Sequence, residues 1–143
     1  MDVAELLEIE AIRRLKYRYM RCVDQKRWDE LADCFTEDAK VAYADGTFSF
    51  QGREAIMEFL TNGLASVRSI HTAHHPEIEL TSDTTARGIW SLEDTVLDPQ
   101  SGTGLHGTGF YSDTYVKTDG AWKITSTGYT RTFEDRTPMA AND

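Results

Sequence analysis

The chain has 143 residues, with 15 Lys and Arg against 24 Asp and Glu, and a formal net charge of −9. This acidic balance disfavours nucleic acid and anionic membrane surfaces as partners, because both bind basic patches. The length predicts one domain over residues 1–143 with room for an internal pocket, and the lack of a signal-peptide pattern or a membrane-length apolar run predicts a cytoplasmic protein.

The hydrophobic pattern predicts three helices in the first half of the chain. Over 5–25 the apolar residues recur at helical spacing and place Tyr19 on the inward face, whereas Asp24 lies about 140° further round. Asp24 is therefore either a solvated carboxylate at the helix end or part of the wall of the same cavity. Further helices are predicted over 28–35 and from Gly52 to Gly63, with a hairpin between them at an Asp-Gly turn.

A strand predicted over 69–80 holds three of the four histidines. Strict alternation counted back from Ile78 places His74 on the apolar face. His71 faces inward only if the strand contains a bulge near Pro76. Both alternatives are open on the sequence alone.

The next predicted strand, 84–97, carries a carboxylate within an apolar face. Trp90, Leu92 and Val96 share that face with Asp94. Because a buried carboxylate without a partner is costly, Asp94 must have a partner, face a cavity or be turned outward by a bulge.

Two more strands are predicted, over 105–117 and 121–133. The last places Tyr129, Arg131 and Phe133 on one face, so Arg131 either stacks beside a cavity or lies on the surface of an edge strand. Residues 134–143 are predicted to be a disordered tail. Helices followed by strands indicate an α+β fold, in which three N-terminal helices cover a cone-like, curved, mostly antiparallel sheet with an internal pocket.

Five short motifs carry a resemblance to a known family. The motifs are WDEL at 28–31, FTEDA at 35–39, GREAI at 52–56, GFYSD at 109–113 and DGAWKI at 119–124. Over residues 5–133 the chain resembles the nuclear transport factor 2-like superfamily and, within it, the SnoaL-like group. The motifs are mostly structural, so they indicate the fold more strongly than the reaction.

The candidate site residues are similar to those of the scytalone dehydratase, bile-acid 7α-dehydratase and hexachlorocyclohexane dehydrochlorinase branch. These enzymes are lyases that need no cofactor, and the resemblance implies a homo-oligomer, with a trimer favoured over a dimer. It also implies a dyad in which Asp24 orients His71 as the base. The implied catalytic residues are Tyr19, Asp24, His71, Asp94 and Arg131. The predicted substrate-binding residues are Trp90, His106, Phe110, Tyr129 and Phe133.

Such a set could catalyse elimination from a small hydrophobic cyclic molecule such as a steroid or polyketide. The reaction needs a base, a donor for the leaving group and a group that stabilises an enolate. Isomerisation is possible with the same groups, and a non-catalytic binding or assembly module of the same fold is the alternative. Metal binding is disfavoured, because histidines at this strand spacing do not converge on one ion. Cys22 and Cys34 also fit no metal spacing and are expected to be reduced thiols.

Overall fold

A computed structural model describes residues 1–139 and has the expected α+β architecture. The two halves of the chain differ as predicted, with helices concentrated before the long strands. The elements are α1 (Val3–Gln25), α2 (Trp28–Asp33), β1 (Phe35–Tyr43), β2 (Phe48–Gln51), α3 (Arg53–Leu64), β3 (Arg68–Leu80), β4 (Thr85–Asp98), β5 (Thr103–Thr118) and β6 (Ala121–Pro138).

The strands form one curved, unclosed sheet in the order β2-β1-β6-β5-β4-β3. All neighbouring pairs are antiparallel except β1 with β6, which is parallel. Helix α1 packs against β3 and α3 packs against β1, so the helices cover the concave face. This arrangement confirms the predicted cone-like fold.

Local interactions fix both ends of α1. Asp2 and Glu5 form a reciprocal capping box at its start, which satisfies two backbone N–H groups that a helix leaves unpaired. At its end, Lys26 adopts a left-handed conformation and its N–H reaches back to the carbonyls of Cys22 and Val23. The helix therefore ends at Gln25, one residue after Asp24, and presents that carboxylate to β3.

A buried ion pair anchors the middle of α1 to β5. The Nζ atom of Lys16 lies 2.8 Å from Oδ2 of Asp113, and both side chains are fully buried. Asp113 also accepts hydrogen bonds from Tyr115 and Thr127, so both oxygens of its carboxylate have donors within the protein. Burial lowers the pKa of Lys16, and the Asp113 charge opposes that effect.

A bulge in β3 decides which histidine faces inward. His74 pairs with Ser91 but Glu77 pairs with Ile89, so β3 holds one residue more than β4 at this point, and His75 has a φ of 39°. The extra residue reverses the alternation, so His71 and Ile78 both lie on the concave side. His74 and His75 are exposed.

A second irregularity lies in β6. Arg131 pairs with Gly109 and Phe133 pairs with the adjacent Thr108, so Thr132 is the extra residue. The strand then continues through Pro138, paired with β5. The predicted disordered tail is therefore wrong for residues 134–138, because their backbone groups complete a ladder with the start of β5. Residues 140–143 lie outside the described part of the chain.

Other boundaries and environments differ little from the predictions. Phe35 is the first residue of β1 rather than the last of a helix, although it is buried as expected.

Cys22 and Cys34 are buried free thiols, and burial raises the pKa of Cys34 to about 12, which makes it a poor nucleophile. In the described part of the chain, no helix has the length and apolarity to cross a membrane.

The Lys16–Asp113 pair should make a measurable contribution to stability. Asp113→Asn keeps the hydrogen-bonding shape but leaves the Lys16 ammonium without a counter-charge, so we expect a loss of about 3–5 kcal/mol in the free energy of unfolding. The double variant Lys16→Met/Asp113→Asn removes both charges and should recover most of that loss. Urea unfolding of both variants and of Lys16→Met tests this, and strictly additive effects would contradict it.

Candidate functional site

A cavity of about 510 Å³ lies between the concave face of the sheet and helices α1 and α3. Its wall is mainly apolar and aromatic, with a few charged groups at one side, as in many small-molecule sites. Four of the five predicted catalytic residues line it. These are Tyr19, His71, Asp94 and Arg131.

The fifth residue, Asp24, contacts His71 directly. Its Oδ1 lies 2.7 Å from Nδ1 of the His71 ring, and its Oδ2 accepts the His71 backbone N–H at 2.7 Å. Ser69 donates a third hydrogen bond to Oδ1 at 2.9 Å. These contacts fix the carboxylate, which is only 20% exposed, so Asp24 is not the solvated helix-end residue that the sequence left open.

Asp94 lies on the other side of the His71 ring. Its Oδ2 is 3.8 Å from Nε2 of His71, and Arg131 holds both carboxylate oxygens through Nη1 and Nη2. Asp94 therefore faces the cavity and has a partner. Partial burial acts to lower the pKa of Arg131, but hydrogen bonding and charge pairing with Asp94 outweigh it and raise that pKa.

Gly107 makes room for this ion pair. It is the β5 partner of Asp94, and a Cβ atom at this position would collide with the guanidinium of Arg131 and touch Oδ1 of Asp94. A side chain at residue 107 is thus incompatible with the observed ion pair between Arg131 and Asp94.

Four tyrosines form an aromatic cluster along the cavity wall. The hydroxyls of Tyr19 and Tyr43 lie 2.7 Å apart, and Tyr111 and Tyr129 pack edge-to-face beside them. Burial is the main cause that raises the pKa of all four phenols. They are therefore neutral hydrogen-bond donors at physiological pH. The guanidinium of Arg131 lies 4.8 Å from the centre of the Tyr129 ring, so the expected stacking is present.

Several residues of the site were not predicted from the sequence. Tyr43 had a usable signal, because it lies on the apolar face of β1. Ser69 had none beyond its nearness to His71. Glu134 and Arg136 lie on the concave side only because of the β6 bulge, and of the two only Arg136 lines the cavity. Glu134 lies 3.5 Å from Nε of Arg131 and 3.3 Å from Nε of Arg136.

Trp90 was predicted to bind substrate and does not line the cavity. It is on the concave side, but four residues before Asp94 on β4, a separation of roughly 13 Å along a strand. Helix α1 covers it there, with Tyr17 packed edge-on against its ring, and its indole N–H donates to Tyr115. Trp90 is a core residue.

Three other predicted substrate-binding residues lie on the convex face. His106 is paired with Glu93 at 3.1 Å, and Phe110 and Phe133 are about half exposed. Phe110 is displaced because Gly109 and Tyr111 take the inward positions of β5, and Phe133 because the β6 bulge reverses the alternation. A more open depression beside β1, β2 and β6 includes Phe110 but none of the charged cluster.

Histidine and acidic side chains do not form a metal site in residues 1–139, where no group of three or more potential ligands converges. His71 instead has one ring nitrogen on Asp24 and the other toward the cavity. With the proton on Nδ1, Nε2 keeps its lone pair and can act as a base.

The family model for the SnoaL-like domain matches residues 4–128 of the chain. The chain belongs to the SnoaL-like family. Its structure has the nuclear transport factor 2-like fold expected from the sequence motifs.

Solved structures similar to this SnoaL-like domain cover nearly all of it. A candidate scytalone dehydratase from Novosphingobium aromaticivorans DSM 12444 is 28% identical with a TM-score of 0.86, covering 99% of this chain and 94% of that one. The hexachlorocyclohexane dehydrochlorinase LinA-type3 from Novosphingobium barchaimii LL02 is 21% identical with a TM-score of 0.84, covering 99% and 97%. A protein of unknown function from Mycobacterium tuberculosis is 25% identical with a TM-score of 0.78, covering 90% and 73%.

The buried tyrosines should make stability fall at alkaline pH. Their folded pKa values are raised above the value of about 10 expected for an unfolded chain. Their contribution is therefore fully present below pH of about 10 and is lost as the pH rises toward the folded values. Urea unfolding across the alkaline range, together with phenolate absorbance, checks this. Ionisation of all the tyrosines near pH 10 in the folded protein would contradict it.

Proposed function

We propose that this protein is a cofactor-independent lyase that eliminates water from a small hydrophobic cyclic substrate. The observation that carries the proposal is the position of His71, held by Asp24 on one ring nitrogen and open to an apolar cavity on the other. Such a site can bind a ring-containing molecule and remove a proton from carbon beside a carbonyl group.

Asp24 and Asp94 make His71 suited to that role. Asp24 fixes the tautomer that leaves Nε2 free, and both carboxylates would stabilise the imidazolium that forms when Nε2 takes a proton. Arg131 neutralises much of the Asp94 charge before the reaction, so the cavity does not hold two unpaired carboxylates beside one imidazole.

The tyrosine cluster supplies donors for substrate oxygens. When Tyr19 and Tyr43 share one hydrogen bond, the second hydroxyl proton of the pair is free to donate to a carbonyl oxygen or its enolate. A neutral phenol in an apolar wall is a strong donor site, because few water molecules compete with the substrate.

The proposed step balances within the substrate. His71 Nε2 removes a proton from the carbon next to the carbonyl, and the electron pair forms a carbon–carbon double bond as the C–OH bond on the next carbon breaks. The leaving hydroxide accepts a proton from the imidazolium or from a tyrosine and departs as water. The product is a conjugated unsaturated ketone, and no oxidant or reductant is consumed.

Two solved structures similar to this chain support elimination over other reactions of the fold. One is described as a dehydratase and another removes hydrogen chloride from hexachlorocyclohexane. The alternative, a non-catalytic binding module, is disfavoured because charged and phenolic groups face an open cavity instead of one filled by the protein's own side chains.

The direct test is turnover of cyclic β-hydroxyketones, both steroid-like and polyketide-like. Formation of the conjugated ketone, followed by its ultraviolet absorbance, would support the lyase. Movement of a double bond without loss of water would indicate an isomerase instead. Saturable binding with neither reaction across the panel would favour the binding module.

Mutations of the dyad should separate the roles of its members. His71→Ala should lower kcat by about 10²–10⁴ with the fold intact, because it removes the base. Asp24→Asn should cause a loss of similar order, because the amide neither fixes the tautomer nor stabilises the imidazolium. Tyr19→Phe should cost less, since Tyr43 remains as a donor, and Arg131→Ala should impair both kcat and KM.

His74→Ala and His75→Ala are the matched controls, because both residues lie on the same strand and are exposed. Both variants should retain full activity. A large loss in His74→Ala with a nearly neutral His71→Ala would reject the site assignment.

We also propose that the protein is a homo-oligomer, with a trimer favoured. The convex face of the sheet exposes four large apolar side chains, and an apolar face of this kind is a candidate surface for contact with further copies of the chain. These are Ile70, Ile89, Phe110 and Phe133.

Sedimentation should therefore give a mass above that of the monomer at micromolar concentration. Phe110→Glu should shift it toward the monomer, because it places a charge within the patch. Leu7→Glu is the control, since Leu7 is exposed on α1, which covers the opposite, concave face, and its replacement should leave the mass unchanged. A monomer in the unmodified protein would refute the proposal.

A further inference from the structure

Gly63 lies in the last turn of α3 without a local reason to be glycine. Its φ is not in the left-handed region, and a Cβ atom built on it would meet no other atom within 4 Å. Glycine is less favourable than alanine in a helix, so neither backbone conformation nor close packing explains the residue.

The surroundings of Gly63 are two concave regions that meet at this helix. Gly63 and Phe59 both line the central cavity, and both also line an outer groove of about 510 Å³ beside Phe50 and Ala55. Gly63 is exposed, and it and Phe59 are the two residues that line both regions. A side chain here would extend into open space where the cavity and the groove adjoin.

The wall where the cavity and the groove meet is mainly apolar and aromatic, although Glu58 and Asn62 also line the groove. The ring of Phe59 stacks on those of Phe48 and Phe50, with ring centres 5.3 Å and 4.6 Å apart. The charged cluster around His71 belongs to the cavity alone, because the groove is lined by none of its members. This meeting point therefore suits an uncharged alkyl or aryl group.

We propose that Gly63 is a specificity-determining residue that leaves open an apolar subsite for the part of the substrate remote from His71. This rests on the proposed function for the identity of the ligand as a substrate. The reacting ring lies beside His71, and an alkyl or aryl extension passes over Gly63 against Phe59 into the groove. The absence of a side chain at position 63 thus allows a longer substrate, and any larger residue there would limit its length.

Calorimetric titration with 4-alkylphenols of increasing chain length tests the subsite without requiring turnover. In the unmodified protein, affinity should rise on the order of fourfold per added methylene while the chain fills the apolar subsite. In Gly63→Leu the shortest phenol should bind as before, whereas the gain with chain length should stop early and the longest should bind at least tenfold more weakly. Gly63→Ala should fold at least as well as the unmodified protein and show a smaller loss confined to the longest chains, so the test does not depend on the leucine variant folding.

Glu54→Leu is the matched control, because it adds the same side chain to α3 at an exposed position that lines neither the cavity nor the groove. It should leave the dependence on chain length unchanged. The same dependence in the unmodified protein, Gly63→Ala and Gly63→Leu would overturn the proposal, as would an equal loss for short and long phenols in Gly63→Leu. His71→Ala should retain the dependence while losing turnover, which separates failure of the subsite from failure of the lyase.

Discussion

The charge of Lys16 constrains how α1 can lie on the sheet. A fully buried ammonium must keep its counter-charge, so α1 cannot rotate about its axis without separating Lys16 from Asp113 on β5. Tyr19, three residues after Lys16, is then directed into the cavity. Asp24, eight residues after Lys16, reaches β3. The contact of Lys16 with the face of the Tyr111 ring, 3.6 Å from its centre, ties the same anchor to the aromatic wall. One buried pair thus orients both site residues that α1 contributes.

The site combines this helix with strands in which bulges near His75 and at Thr132 reverse the alternation. Asp94 needs no such adjustment, since it follows the regular pattern of β4. His71 and Glu134 do need it, because each lies beyond an extra residue when counted from the regular part of its strand. The bulges therefore bring together the imidazole of His71, the carboxylate of Asp94 and the carboxylate of Glu134, which simple alternation would distribute over both faces.

Regular periodicity explains what the sequence could predict. The helical repeat identified Tyr19, and strand alternation identified Asp94. The proline in β3 indicated that a bulge could turn His71 inward. The errors arose where periodicity carries no signal. Gly107 and Gly109 occupy inward positions of β5 without an apolar side chain, so outward-facing Phe110 dominated the pattern. Position along a strand is equally invisible, which is why Trp90 was on the correct face but under α1. The bulge at Thr132 has no glycine or proline to indicate it, and it displaced Phe133 while concealing Glu134.

The continuation of β6 past that bulge has a consequence for how members of this family can differ. The segment that matches the family model ends at residue 128, whereas Arg131, Glu134 and Arg136 follow it. The segment that matches the family model thus carries Asp24, His71 and Asp94, whereas the arginines and the outer carboxylate of the charged cluster lie in the stretch that follows it. Changes in the final strand beyond Tyr129 can alter the charge presented to a ligand while leaving the helices, the histidine strand and the four tyrosines in place. Shared membership of the SnoaL-like family therefore predicts a common fold with a cavity, and the last few residues of the sheet are where the preference for a ligand can differ.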